Sequence, residues 1–346
     1  MSNSKNKLKA VDFFCSVGGV SLGFQQAGIE VLGGIDIDKS CKETYEKNIK
    51  AKFLPEDVSN LEKEKVGDFF GIQRNQDDLI FVGCSPCQYY SNIKTDKKKS
   101  KATRLLLADF QEFVEYYRPG YVFIENVPGL DYNTESPLGK FKSFLSESGY
   151  VFDDDVLNAK YFGVPQSRRR YILVATRIKK KIKLPKEDPA NIKTVRQAIG
   201  DYNKFPPIEQ GTKDSTSYVH SAAGLREINL SRIRATSHDG GSRSDWTDDI
   251  LPVPCYKNHD GHTDVYGRLN WNLPAPTITT KFVSYSNGRY GHPEQDRALS
   301  LREGATLQSF PENFVFCSDS QGTIAKMIGN AVPPNLAKEI AEAIIK

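Results

Sequence analysis

The chain has 346 residues, enough to bury a large core and to form two domains, or one large domain with a smaller one inserted. Its 38% hydrophobic and 26% charged residues describe an ordinary water-soluble protein, and no apolar run approaches the ~18 residues of a membrane helix. A net charge of +4 is too small to prove a nucleic-acid partner, and six scattered cysteines (15, 41, 84, 87, 255 and 317) read as reduced thiols, not as a disulfide frame.

The lysine-rich start, Met1 to Lys9, lacks the apolar segment of a signal peptide. A first strand is expected over Lys9–Cys15. The turn Ser16-Val17-Gly18-Gly19 follows, then a helix from Val20 to a glycine stop at Gly28. A second strand, Ile29–Ile35, ends in Asp36, and a helix runs from about Asp38 to Asn48. Strand, glycine-rich turn, helix, strand and acid make the plan of a nucleotide-type cofactor site at the carboxyl edge of a parallel sheet. Asp36 stands 17 residues after Gly19, placed to accept hydrogen bonds from ribose hydroxyls. The full G-x-G-x-x-G pattern is missing, because Ser16 holds the first glycine position. A cofactor without a pyrophosphate does not need that cradle, and S-adenosyl-L-methionine is an adenosine cofactor of that kind. Glycines that merely turn the chain are the alternative.

Lys52–Asp57 and Asp77–Val82 read as further strands, with a charged, solvated helix over Val58–Phe70 between them. The apolar run Leu79–Val82 enters Gly83-Cys84-Ser85-Pro86-Cys87, where glycine and proline end the strand. A thiol on a tight turn at the rim of a sheet can act as a nucleophile. Cys84-x-x-Cys87 suits a redox or metal pair, and equally Cys87 alone as a covalent catalyst. Residues 91–104 carry five lysines and one arginine, which suits either a solvated loop or a lid closing on phosphates. An amphipathic helix is expected over Leu105–Tyr117, and the strand from Gly120 ends in Glu125-Asn126 before Pro128 and Gly129. Two strand ends thus bring Cys87 and Glu125 to one edge, beside the cofactor turn.

Pro137–Ser148 reads as a helix and Tyr150–Asn158 as a strand. Gln166-Ser167-Arg168-Arg169-Arg170 leads into a strand over Tyr171–Ala175. In an extended segment Arg168 and Arg170 share one face, and Arg169 points the other way. From about Lys179 the character changes: residues 179–297 are rich in Pro, Gly, Ser, Asn and Asp, with one helix expected over Leu225–Ala235. Arginines 226, 232, 234, 243, 268 and 289 interleave with Tyr256, Tyr266, Trp271, Tyr285 and Tyr290. That mixture suits a nucleic-acid surface, and equally an irregular small domain. Cys255, His259 and His262 have ligand chemistry, but a fourth ligand such as His238 would come from afar, so no metal site is expected. The tail returns to regular structure: a helix from Ser300 to Pro311, Ile324–Ile328 leading into the turn Gly329–Pro334, and a closing helix over Asn335–Ile345.

Assembled in order, these segments resemble the cytosine-C5 DNA methyltransferase family over nearly the whole chain. Asp12-Phe13-Phe14-Cys15-Ser16-Val17-Gly18-Gly19 resembles the family's first motif, Pro86-Cys87-Gln88 its catalytic motif and Glu125-Asn126-Val127 its acid motif. Gln166-Ser167-Arg168-Arg169-Arg170 resembles the basic strand, Arg302 through Leu307-Gln308-Ser309-Phe310-Pro311 the late helix, and Gly329-Asn330-Ala331-Val332 the last motif. The resemblance implies an α/β fold with the mostly parallel, Rossmann-like sheet of S-adenosylmethionine-dependent methyltransferases. Residues 1–188 and 320–346 would form that domain, and 189–319 an irregular target-recognition domain inserted into it.

By the same resemblance, the methyl group of S-adenosyl-L-methionine passes to C5 of a flipped-out cytosine in a short sequence of double-stranded DNA, leaving S-adenosyl-L-homocysteine. Cys87 would attack C6, Glu125 would hold or donate a proton at N3, and Arg170 with Arg168 would hold O2 and orient Glu125. Cofactor contacts carry over to Phe14, Ser16, Gly18, Gly19, Asp36, Ile37, Asp57, Val58, Pro86, Asn330 and Val332, with Asp57 at the adenine amino group. DNA contacts carry over to Gln88, Ser91, Arg104, Arg268 and Thr277, and Asn126 would fix the Pro86-Cys87 turn. The chain departs from the family at Ser16, where glycine is common, and at Thr103, where an arginine usually stands three residues before Leu106. Its compact size fits a monomeric, cytoplasmic, prokaryotic modification enzyme of a restriction system whose endonuclease acts separately. Methylation of tRNA cytosine by a related branch is the alternative, and a catalytically silent DNA-binding module is a rival of another class.

Overall fold

Continuous apolar runs make strands buried on both faces, and short turns bounded by glycine set helices between them. The computed structural model describes residues 7–85, 106–132, 136–248, 251, 253 and 264–346, and these fall into two compact units. The first contains the chain up to Phe162, Arg169–Glu187 and Val332–Lys346; the second contains Gly163–Arg168 and Asp188–Ala331.

The first unit is a mixed α/β structure. Its strands are β1 (Lys9–Phe13), β2 (Glu30–Ile35), β3 (Lys52–Leu54), β4 (Leu79–Gly83), β5 (Tyr121–Asn126), β6 (Val151–Asn158) and β7 (Arg169–Thr176). They form a seven-stranded sheet in the order β3-β2-β1-β4-β5-β7-β6. The pairs from β3 to β5 are parallel, whereas β7 runs antiparallel to both β5 and β6. Helices α1 (Gly19–Gln26), α2 (Lys42–Ile49), α3 (Lys63–Phe70), α4 (Leu106–Tyr117), α5 (Gly129–Tyr132) and α6 (Leu138–Glu147) connect the strands. The core joins the sheet to these helices through Phe13, Phe81, Phe110 and Phe113, whose rings meet within about 5 Å. Two expected elements are shorter than read. The strand expected over 52–57 stops at Leu54, and the helix expected over 58–70 begins only at Lys63, because Asp57 caps a separate 3-10 turn, Val58–Asn60.

The second unit is mostly irregular, as its composition implies. It carries α7 (Val195–Ile199), α8 (Glu227–Arg234), α9 (Leu301–Leu307) and α10 (Gln321–Asn330). Its junctions with the first unit differ from the expected 188/189 and 319/320. Residues 163–168 belong to it and it continues through Ala331, because α9 packs on both α7 and α10. The last helix, α11 (Pro334–Ile345), returns to the first unit and packs on α1. Contact there is close: a Cβ on Gly23 would lie 2.4 Å from the Pro334 carbonyl oxygen and 2.6 Å from Ala337 Cβ.

Gly23→Ala is therefore expected to destabilise the protein by about 1–3 kcal/mol through overpacking. Urea unfolding followed by circular dichroism checks this, and an unchanged midpoint would contradict the close approach of α1 and α11.

Candidate active site

Parallel pairing aligns the carboxyl ends of the strands. Phe13 pairs with Ile35 and with Gly83, Ile35 with Leu54, and Gly83 with Ile124. The residues that follow these ends therefore share one edge. After Phe13 the backbone leaves the β region, with φ of 61° at Phe14, 48° at Ser16 and 86° at Gly18. Side-chain-bearing residues adopt such angles only where neighbours hold them. The holding group is Asp36, whose Oδ2 accepts the Ser16 N–H at 2.8 Å and whose Oδ1 accepts the Asp38 N–H at 2.8 Å. Gly18 is required for space as well as angle, since a Cβ there would lie 2.8 Å from Ile49 Cγ1. Beside Asp36, Ile37 presents an apolar side chain that is 65% exposed. Asp57 accepts the Ser59 N–H at 3.1 Å and the Asn60 amide at 3.2 Å, with Val58 buried next to it.

Beneath this turn lies a network that pattern reading did not find. Ser21 donates to Asp12 Oδ2 at 2.7 Å and shares a 2.9 Å hydrogen bond with the Tyr45 hydroxyl. Asp12 Oδ1 is buried with no hydrogen-bond partner among the described residues. Burial pushes the Asp12 carboxyl up to about 7, and likewise raises the Cys15 thiol and the Tyr45 hydroxyl. An acid inside the first strand, between Val11 and Phe13, was the available signal, but only packing tells a buried acid from a surface one.

At the neighbouring strand ends, Glu125 is 7% exposed, and Arg170 Nε lies 2.9 Å from its Oε1. A second Arg170 nitrogen donates to the Arg169 carbonyl at 2.7 Å. Burial lowers the Arg170 pKa, and the Glu125 carboxylate opposes that shift. The adjacent Asn126 donates to the Ser85 carbonyl at 3.1 Å and to the Ser85 hydroxyl at 3.3 Å, while its own Oδ1 accepts the Val127 N–H at 2.8 Å. Asn126 thus grips the residue that leads into Pro86-Cys87. The Cys84 thiol is pushed well up by burial and by the nearby Glu125 and Asp12, which disfavours the thiolate that a redox or metal pair requires.

Pro86, Cys87, Gln88, Ser91 and Arg104 lie outside the described residues, as do Cys255, His259 and His262; His238 is exposed. Among the described residues no cluster of three or more His, Cys, Asp or Glu could hold a metal. Arg168 does not share a strand face with Arg170, because β7 begins at Arg169. Arg168 is buried in the second unit, where it donates to the carbonyls of Ile278, Gly329 and Ala331 at 3.1–3.4 Å. Arg268, expected on DNA, is fully buried. Its guanidinium donates to the carbonyls of Thr236, His292, Gln295 and Ile233 and to Asp296, which leaves no donor for a phosphate. Thr277 donates to the Ser167 carbonyl at 3.0 Å. Asn330 ends α10 with its side chain exposed, and Val332 is buried in the first unit. Sequence reading also missed the link between Gln166 and Gln308, whose amides meet at 2.8 Å in the second unit.

The family model for C-5 cytosine-specific DNA methylases matches residues 8–346. A "Type II methylase M.HgiDII" of Herpetosiphon aurantiacus is 37% identical over 341 residues, covering 96% of this chain and 94% of that one. A "Type II methyltransferase M1.BsuMI" of Bacillus subtilis is 29% identical, covering 96% and 79%. Among solved structures, a putative DNA modification methyltransferase from an Escherichia coli prophage superposes with a TM-score of 0.73 at 22% identity, covering 98% and 99%. Spodoptera frugiperda DNMT2 superposes with a TM-score of 0.65 at 16% identity, covering 98% and 100%. These structures share the fold.

The raised Asp12 carboxyl gives a pH-dependent stability. Its folded pKa of about 7 stands above the ordinary 3.8, so its contribution is complete below pH 4 and is lost as pH rises through 7. Asp12→Asn removes that loss. The melting temperature of the variant minus that of the wild type should therefore increase between pH 5 and pH 8; a constant difference would contradict a protonated, buried Asp12.

Proposed function

The chain belongs to the C-5 cytosine-specific DNA methylase family, and on that premise we propose that it methylates cytosine C5 within a short sequence of duplex DNA through a covalent bond from Cys87 to C6. The observation that carries this reading is the Glu125–Arg170 ion pair on the same sheet edge as Ser85, held by Asn126, and the turn held by Asp36. The first unit is the proposed catalytic domain and the second the proposed target-recognition domain.

The residues around the turn fit S-adenosyl-L-methionine. Asp36 places a carboxylate where a pyrophosphate would be repelled, yet its oxygens can accept from a ribose diol, and Ile37 offers an apolar face for adenine. Phe14, Ser16, Gly18 and Gly19 would line the turn, with Asp57 and Val58 at the adenine edge and Pro86 and Val332 as further proposed contacts. When bound, this cofactor supplies a methyl carbon made electrophilic by its sulfonium. No metal is required.

Cytosine C5 is a weak nucleophile. In the proposed reaction the Cys87 thiolate adds to C6, forming a C–S bond and shifting the ring electrons toward C5 and N3. Glu125 meets the charge that develops at N3 by hydrogen bonding or giving a proton, and Arg170 holds Glu125 in place and contacts O2. After methylation, removal of the C5 proton restores the 5,6 double bond and expels Cys87 as thiolate. A cytosine inside a duplex cannot reach this edge, so it is flipped out at a cost of a few kcal/mol. Gln88, Ser91, Arg104 and Thr277 are proposed DNA contacts; Arg168 and Arg268 are not, because both terminal nitrogens of buried Arg168 and the whole guanidinium of Arg268 donate to groups within the second unit. Relatives of this chain are named Type II methylase and Type II methyltransferase, and by that likeness we propose a modification enzyme of a restriction system; a prokaryotic cytoplasm, a monomeric state and a separately acting endonuclease belong to the same proposal.

Labelled methyl transfer to plasmid DNA, with tRNA alongside and base-resolution mapping, tests the reading. Label at C5 in one recurrent duplex sequence is expected; label in tRNA alone would move the enzyme to the RNA branch. Cys87→Ser should reduce transfer to background, while Cys84→Ser keeps most of the wild-type rate. Equal loss in both variants would revive the thiol-pair chemistry. Glu125→Gln should lower kcat by about 10²–10⁴-fold, the usual contribution of a positioned proton donor.

A further inference from the structure

After β7 the chain forms a strap, residues 179–186, that with the end of α11 lines an open groove in the first unit. Lys179, Lys181, Lys183, Lys186 and Lys346 surround it, Glu339 is its one acidic side chain, and Ile182, Leu184, Pro185 and Ala343 supply apolar wall. The strap is anchored along its length. Lys179 Nζ caps the last turn of α11 by donating to the Ile344 carbonyl at 2.6 Å and the Ile345 carbonyl at 3.2 Å. Asp153 accepts the Leu184 N–H at 3.0 Å and pairs with Lys183 at 3.2 Å. Glu187 accepts the Asn158 N–H at 2.6 Å. Lys181, Lys186 and Lys346 have no acidic partner among the described residues.

The strand register gives the strap a direction. Thr176 pairs with Tyr121 at the edge opposite Glu125, whereas Asn158, bound by Glu187, pairs with Arg169 next to Arg170. The strap therefore runs along the β6 side of the sheet from the far edge back to the edge that carries the ion pair. Ammonium groups are compact, strongly hydrated charges that meet phosphates without reading bases. No aromatic side chain lines the groove, so it lacks the stacking surface that single strands or free bases need. Duplex DNA, with one negative charge per ~1.7 Å of axis, complements this chemistry.

We propose that the strap and Lys346 form a sequence-independent site for the duplex phosphate backbone, separate from the catalytic edge, that holds DNA flanking the methylated sequence; this rests on duplex DNA being the substrate. The test uses the full chain and a labelled random-sequence duplex, with binding measured by fluorescence anisotropy across a salt series. Lys181→Gln/Lys186→Gln should reduce the slope of log K against log salt by about 2, near 0.9 per lost phosphate contact. A control with the same charge change on exposed lysines elsewhere, Lys47→Gln/Lys140→Gln, should leave the slope near wild type. Methyl transfer at saturating DNA should keep its wild-type kcat in the strap variant. An unchanged slope in the strap variant, or an equal fall in the control, overturns the proposal. A wild-type protein that binds duplex with strap-dependent slope yet transfers no methyl group would instead sink the proposed function and leave the strap standing.

Discussion

The 2.9 Å ion pair between Glu125 and Arg170 joins two strands that run in opposite directions, and the proposed catalytic edge depends on that reversal. A parallel strand in the place of β7 would deliver its first residues to the far edge of the sheet. Antiparallel pairing instead sets Tyr171 opposite Asn126, so Arg170 arrives one residue beyond, beside Glu125. Both side chains are largely withdrawn from water. Removing two charges from solvent is costly, and a buried pair adds little to stability over apolar packing. The pair is therefore not explained by folding stability alone, which agrees with the catalytic role proposed for it.

Two backbone segments at this edge are each held by one polar side chain. Asp36 ties the positive-φ turn of Phe14 and Ser16 to the end of β2, and Asn126 ties Ser85 to the end of β5. Ser16 bears this strain where glycine would not, and its N–H bond to Asp36 offsets it. Strain of this kind preorganises a pocket, since the groups that meet a ligand are ordered before it binds. The buried Asp12–Ser21–Tyr45 network supports the turn from below.

The second unit meets a different constraint. With few helices, its carbonyl groups lack regular partners, and buried carbonyls must still be satisfied. Arginine answers this with five donors in a rigid fork. Arg268 serves four carbonyls, Arg302 serves those of Tyr218, Pro311, Ser217 and Phe314, and Arg289 serves those of Gly240, Gly241 and Arg268. Tyr266, Trp271, Tyr285 and Tyr290 are buried among them. Of the arginines that interleave with these aromatics in sequence, Arg268 is buried with them, whereas Arg226 and Arg234 are exposed.

The α/β order, the strand-end positions of Asp36 and Glu125, and the late helix with its Ser300–Glu303 capping box were legible because they depend on neighbours in sequence: apolar runs, glycine stops, capping spacings. The role expected of Asn126 came from the family resemblance, not from local pattern. Burial was not legible. Whether Arg168 or Arg268 faces solvent, whether Asp12 keeps its proton, and where the two units divide depend on segments far apart in the chain. Local pattern supplies the residues and their faces. Only tertiary packing decides which of several arginines meets a carboxylate and which meets a carbonyl, because desolvation is set by the whole fold and not by the adjoining sequence.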